Sequence, residues 1–239
     1  MNNKIVDKLH PVTLIGGGAV GDGDLEAALA LAPTCVAADS GADAAMRAGV
    51  ELAAVIGDMD SISAAAQRHI PRARQHRIPE QMSTDFDKAL RHISAPLVIA
   101  VGFSGLRIDH QLAALHTLVM RADVACLMLG AEDVIFVCPR RFDLPMPAGT
   151  RVSLFPMGRV MGRSTGLEWP IEGLDFAPDG VSGTSNRATG DLHLEMDQPK
   201  MLCILPRRFM AAVAENLAAL PASARWPARA APRKDPPPS

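Results

Sequence analysis

The chain has no excess of basic residues: 24 Lys and Arg stand against 26 Asp and Glu in 239 residues, a formal net charge of -2. That balance excludes the basic field that draws proteins onto nucleic acid or anionic lipid. No apolar run approaches the roughly 18 residues that a spanning helix needs. The first residues, MNNKIVDKLHPVTLIGGG, lack a secretory leader's apolar core and cleavage site, so a cytoplasmic protein without nucleic-acid or membrane partners is expected. Four cysteines (Cys35, Cys126, Cys138, Cys203) lie far apart with no C-x-x-C spacing and read as reduced core residues. The seven histidines form no H-E-x-x-H or paired pattern, which leaves a zinc site without support. What the chain does have is apolar content, 48%, ample for one large domain or two modest ones.

Two rhythms divide it. Up to about Ala122, short apolar runs (VTLI, TCVAAD, LAAVIG, PLVIAVG) alternate with helical stretches (DLEAALALA, GADAAMRAG, SAAAQRHI, DFDKALRHI, DHQLAALHTLVMRA). This alternation predicts a parallel sheet covered by helices over residues 11–122, with ligands at the carboxyl ends of the strands. After Asp123 come short strand-like runs between turn residues (ACLMLG, DVIFVCP, RVSLFPM, GLEWPI, GDLHLEM, MLCILP). They predict a smaller antiparallel β-sandwich over 124–208. Phe209, Val213, Leu217 and Leu220 share one face of a last helix, and the Pro- and Ala-rich remainder, 221–239, reads as a disordered tail.

Several strand ends carry charge. LAAVIG runs into Gly57-Asp58-Met59-Asp60-Ser61, and two carboxylates so close raise one another's pKa unless a cation or strong donors neutralise them. GGGAVG at Gly16–Gly21, with Asp39 at the end of the next strand, matches a dinucleotide fingerprint and its ribose-binding acid, though any strand-to-helix turn favours glycine. STDFDKAL opens a helix with Thr84 as N-cap; Asp85 and Asp87 in its first turn complement the helix dipole, or Asp85, with Lys88 three residues on and on the same face, holds metal and phosphate together. In GFSGLRIDH, Asp109 is an N-cap or a site acid, Arg107 a solvated charge or a phosphate ligand, and His110 is expected to be packed. If these turns share one cleft, Asp58, Asp60, Asp85 and Asp109 meet Lys88 and Arg107 there, a mixture suited to Mg²⁺ and polyphosphate.

In this order the motifs resemble those of the thiamine pyrophosphokinase family. They stand here as Ala38-Asp39-Ser40-Gly41-Ala42, the Gly57–Ser61 turn, Gln81 through Thr84-Asp85-Phe86 to Lys88, and Gly105-Leu106-Arg107-Ile108-Asp109-His110. STGLEWPI (Ser164–Ile171) and SGTSN (Ser182–Asn186) resemble the family's later signatures, and Ser40 and Leu106 replace glycines of its pattern. The resemblance implies a Rossmann-like α/β domain followed by a β-sandwich, and transfer of the diphosphate of ATP to the hydroxyl of thiamine with release of AMP. It assigns Asp58, Asp60 and Asp85 to Mg²⁺, Lys88 and Arg107 to phosphate oxygens, and Asp39, Gln81 and Thr84 to substrate binding. Asp109 becomes the residue that orients or deprotonates the thiamine hydroxyl. Trp169, Ser185 and Asn186 are placed against thiamine at the interface of a homodimer, the indole face suiting a thiazolium cation. Without the resemblance, Trp169 reads as a sandwich core residue. The competing functions are a pterin pyrophosphokinase, a D-x-D metal-dependent nucleotide-sugar transferase and a non-catalytic thiamine- or nucleotide-binding protein.

Overall fold

The apolar runs of the first half are four to six residues long, too short for core helices, and they form strands that are almost entirely buried. A computed structural model describes residues 4–105 and 107–228. In chain order its first half contains β1 (Val6–Asp7), β2 (Val12–Ile15), α1 (Asp24–Leu31), β3 (Thr34–Ala38), α2 (Gly41–Arg47), β4 (Leu52–Gly57), α3 (Ala64–His69), β5 (Gln75–Arg77), α4 (Asp85–His92), β6 (Ile93–Ser94), β7 (Val98–Val101) and α5 (Ile108–Met120). Strands β3 and β4, and β4 and β5, pair in parallel through the crossovers α2 and α3 as the alternating pattern requires, and β2 pairs in parallel with β7, from which it is separated in the chain by β3 to β6. β3 runs beside β2, bridged to it between Val12 and Pro33.

The second half contains β8 (Cys126–Leu129), β9 (Asp133–Val137), β10 (Arg141–Leu144), β11 (Arg151–Pro156), β12 (Gly162–Leu167), β13 (Gly183–Met196), β14 (Met201–Pro206) and α6 (Met210–Ala219). β8 pairs in parallel with β7, because α5 is one more crossover; it extends the first sheet instead of opening a sandwich. β9 then turns back antiparallel, and the sheet continues without a break in the order β2-β7-β8-β9-β14-β11-β13-β10. No interruption of pairing marks the expected boundary near residue 123. The second layer comes from β13, which is 14 residues long: its start pairs with β11, and the rest pairs with β10 and β12. Phe136, Phe142, Leu154, Leu192, Leu194 and Cys203 are buried in one core, with the two phenyl rings 5.0 Å apart. The architecture is thus an α/β domain plus a β-sandwich built on a shared sheet.

Two expectations need correction. GLEWPI is strand only at Gly166 and Leu167, since Pro170 lacks the donor a ladder needs and the chain turns at Trp169. The tail is ordered further than its composition implies. Residues 221–228 carry a 3₁₀ turn, Ala222–Ala224, and Trp226 is 7% exposed with its indole N–H donating to the Cys138 carbonyl at 2.9 Å. Arg225 donates to the carbonyls of Leu217, Ala218 and Leu220 at the end of α6 and to that of Pro96. A bulk-composition reading does not register one aromatic anchor. Residues 229–239 and Leu106 lie outside the described part. The four cysteines are free and buried, and burial pushes the Cys35 thiol up to about 12. Among the described residues no helix is long and apolar enough to cross a membrane.

Candidate active site

The parallel register of β3 and β4 sets Ala38 opposite Ile56, so the residues that follow each strand emerge side by side. Residue 57 must be glycine for this: a Cβ there would lie 2.9 Å from the Cβ of Asp39. Asp39 adopts φ 42°, is 3% exposed, and has a carboxylate oxygen, Oδ1, that is buried with no hydrogen-bond partner among the described residues. After β4 the chain turns through Met59 at φ 67°, which lets the Asp60 N–H donate to Asp58 Oδ1 at 3.3 Å. One carboxylate oxygen each of Asp39, Asp58 and Asp60 lie within 4.8 Å of one another. Burial, then the charges of Asp85 and Asp58, raise the pKa of Asp39.

Beside this cluster lies Lys88, only 1% exposed and among the largest fully buried side chains of the described residues. A buried ammonium needs paired acceptors. Its Nζ is 2.9 Å from Asp58 Oδ2 and 2.9 Å from Asp85 Oδ1. Burial of Lys88 drives its pKa down, but the hydrogen bonds to Asp58 and Asp85 outweigh that and the net shift is upward. The same bond, from Lys88 to Asp58, leads the lowering of the Asp58 pKa. Thr84 caps α4 by accepting the Asp87 N–H, and the Gln81 side-chain amide donates to Asp58 Oδ2 at 3.4 Å. The opening pair of acids is therefore neutralised on one side by Lys88. On the other side it is joined by Asp39, whereas the expected third metal ligand, Asp85, spends an oxygen on Lys88.

The third motif is adjacent: Phe86 stacks on Phe103 at 4.1 Å, setting the turn after β7 against the start of α4. Arg107 and Asp109 pair with each other at 2.6 Å, both exposed, and the Arg107 hydrogen bond holds the Asp109 carboxyl below its ordinary range. Among the described residues, no hydrogen bond or ion pair joins them to the aspartate cluster. His110, expected to be packed, is exposed. The glycine run before α1 is spent on backbone contact, with the Gly16 and Gly18 N–H groups donating to Val101 and Gly102 at 2.8 Å. The Gly21 N–H donates to Asp24 Oδ2, so a carboxylate of the chain already occupies the place a dinucleotide fingerprint reserves for phosphate.

On the β layer, Trp169 is 54% exposed and is no core residue. Asn186 is buried beneath it. Its Oδ1 accepts the N–H groups of Trp169 and Arg187 at 3.2 and 2.8 Å, and its Nδ2 donates to the Trp169 carbonyl at 2.7 Å. Asn186 thus fixes the turn that carries Trp169 and has one amide hydrogen left. Ser185 adopts φ 63°, held by its N–H donating to Ser153 Oγ at 3.0 Å. Among the described residues, none of the three is hydrogen-bonded to the acidic cluster.

A sequence profile described as "Thiamin pyrophosphokinase, catalytic domain" matches residues 25–128, the span that contains every charged residue of this cleft. Over residues 25–128 the chain is similar to thiamin pyrophosphokinase catalytic domains. Thiamine pyrophosphokinase 1 of Arabidopsis thaliana is 27% identical over 149 residues, 54% of this chain and 56% of that protein. The chain therefore matches little more than half the length of this curated relative. Thiamin pyrophosphokinase from Geobacillus thermodenitrificans superposes with a TM-score of 0.67 at 20% identity, covering 82% of this chain and 96% of that one. The Candida albicans thiamin pyrophosphokinase gives 0.68 at 14% identity, covering 86% and 95%. Both share the fold of the α/β domain and the β layer together.

Within the matched span, two features go beyond motif reading. Asp39 belongs with the paired acids, a placement signalled by its position at the end of the strand next to theirs. Behind α4, Arg91 ties Glu80 and Ser83 to the helix; its spacing of four from Asp87 was the visible sign.

Proposed function

We propose that the chain is a thiamine diphosphokinase, moving the diphosphate of ATP to the hydroxyl of thiamine and releasing AMP. The observation that carries this reading is the Asp39–Asp58–Asp60 cluster, with a buried oxygen unpartnered among the described residues, set against Lys88 in a span similar to this family's catalytic domain. Three carboxylates are the hard oxygen donors that Mg²⁺ takes, with water and phosphate oxygens completing its shell. Asp39, Asp58 and Asp60 would hold it, and when bound the ion offsets the charge gathering on the phosphate oxygens. Lys88 fixes Asp58 and Asp85 in place, and Gln81 and Thr84 border the nucleotide side. Arg107, exposed and, among the described residues, ion-paired with Asp109, is a cation placed to reach a phosphate. Asp109, kept ionised by Arg107, accepts the proton of the thiamine hydroxyl as its oxygen attacks the β-phosphorus. The bond from that phosphorus to the bridging oxygen of AMP breaks, and the proton passes to solvent.

Trp169 and Ser185 are exposed and, among the described residues, have no hydrogen bond to the acidic cluster of their own chain, which supports a homodimer in which each β layer faces the partner's cleft. The exposed apolar side chains of Met82, Ile108 and Leu112 lie on the motif segments and would gain cover there. ATP as donor and the buried thiols fit the cytoplasm. AMP release from ATP and Mg²⁺, measured with thiamine, with a hydroxymethylpterin and with no acceptor, tests the reaction. Thiamine-dependent AMP is expected; release that depends on the pterin, or none at all, contradicts it.

A further inference from the structure

The segment Glu80–Thr84 carries Gln81 and Thr84 between β5 and α4 and has no helix or strand of its own. Its tie to the site is weak: the Gln81 amide reaches Asp58 at 3.4 Å, and Met82 is 95% exposed. What holds it lies on the other side. Arg91, in the last turn of α4, donates from one guanidinium nitrogen to Glu80 Oε2 at 2.9 Å and to Ser83 Oγ at 2.8 Å. Ser83 in turn donates to Glu80 Oε1, closing a three-residue ring. Arg91 Nε lies 3.1 Å from Asp87 Oδ2 as an ion pair but has no hydrogen-bond partner among the described residues, and Asp87 accepts from Nε and Nη2 of Arg121. The guanidinium is only 20% exposed, and its hydrogen bonds, with that of Ser83, hold the Glu80 carboxyl below its ordinary range.

We infer that Arg91 is a positioning residue for the nucleotide. It touches neither the acidic cluster nor Lys88, yet it sets where Gln81 and Thr84 stand relative to them. The inference rests on the proposed reaction for the identity of the nucleotide, ATP. One guanidinium nitrogen makes both hydrogen bonds, to Glu80 and Ser83, while Nε of the same planar group lies beside Asp87; an ammonium could make the first two but not hold the third position with them. The helix does not depend on it in the same way: Thr84 still caps α4, and Asp87 keeps Arg121.

The test is Arg91→Met with Arg91→Lys as the conservative variant, each assayed for turnover and for binding of a non-hydrolysable ATP analogue with Mg²⁺ by calorimetry. Arg91→Met is expected to raise the KM for ATP and weaken the analogue by about tenfold, with the KM for thiamine changed by less than about twofold. Arg91→Lys should recover part of the loss, and thermal stability should stay near wild type. Unchanged analogue affinity overturns the inference, as does a joint fall of kcat, both KM values and melting temperature. If the wild type binds the analogue yet makes no thiamine diphosphate, the reaction is wrong and Arg91 is still judged on the analogue. A wild type that does not bind the analogue overturns both.

Discussion

Asp39 and Asp58 sit in one cluster, yet replacing each by asparagine should move stability in opposite directions. Asp39 is buried, has an orphaned oxygen and faces like charges, so its ionised form is a burden in the metal-free protein. Asparagine removes that charge, can turn its amide toward the Asp58 carboxylate, and tolerates the left-handed backbone better than other neutral residues. Relief of an unsatisfied buried acceptor is worth about 1–2 kcal/mol, and about 2–4 °C in melting temperature accompanies each kcal/mol in a chain of this size. Asp58→Asn instead takes a charge-assisted acceptor from fully buried Lys88, at a cost of about 1.5–3 kcal/mol. The pH dependence follows. The folded pKa of Asp39 is raised, so its penalty is present at neutral pH, fades as pH falls through the raised folded value, and is gone below about 3.9, the unfolded value. The folded pKa of Asp58 is lowered, so its stabilisation is present above about 3.9 and is lost as pH falls through the lower folded value. Thermal melts of both variants and wild type in EDTA at pH 7 and at pH 3.5, then in excess Mg²⁺, provide the assay. Only the wild type should gain strongly from Mg²⁺, by about 2.7 kcal/mol at a hundredfold excess over its dissociation constant. If Asp39→Asn is as destabilising as Asp58→Asn in EDTA, the carboxylate is not orphaned and the argument fails.

Three further changes probe other parts of the molecule. Gly17→Ala should cost about 1–3 kcal/mol, because a Cβ there would meet Ser40 Oγ at 2.0 Å, and Ser40→Gly should restore most of it; equal costs in both backgrounds would show that Ser40 is not the obstacle. Trp169→Ala should weaken thiamine by about 0.5–2 kcal/mol with ATP affinity and melting temperature little changed, and Trp169→Phe should keep most of the contact; a large loss of stability without selective loss of thiamine would refute stacking. Trp226→Ala should cost about 3–5 kcal/mol through its lost packing and its bond to Cys138, and unchanged melting would return residues 221–228 to a passive tail.

The sequence made the alternation of strands and helices plain because unbroken runs such as VTLI and LAAVIG have one sensible place, between two helical layers. It also exposed Asp58, Asp60, Asp85 and Lys88, since paired charges after buried strands demand an explanation. It did not show that Asp39 comes within reach of Asp58 and Asp60 while Asp85 bonds Lys88, because that depends on which strands are neighbours and on where the Lys88 ammonium ends up. Nor did it show that the sheet continues through β8, for a crossover helix looks the same whether it closes a domain or extends it. The role of Asn186 was hidden for a similar reason: spacing indicates that an amide is near Trp169, but only coordinates show that both its polar atoms are engaged with backbone. Trp226 stood alone among Pro and Ala, where local composition has no way to register a partner as distant as Cys138.

The central claim is that this cleft transfers a diphosphate, as one group, to thiamine. ATP labelled at its β-phosphorus tests it directly when incubated with thiamine, Mg²⁺ and the purified full-length chain, with products separated and counted. The account predicts label in thiamine diphosphate, unlabelled AMP formed in equal amount, and neither product from Asp58→Asn. Label retained in ADP alongside thiamine monophosphate, or undiminished turnover by Asp58→Asn, would contradict it.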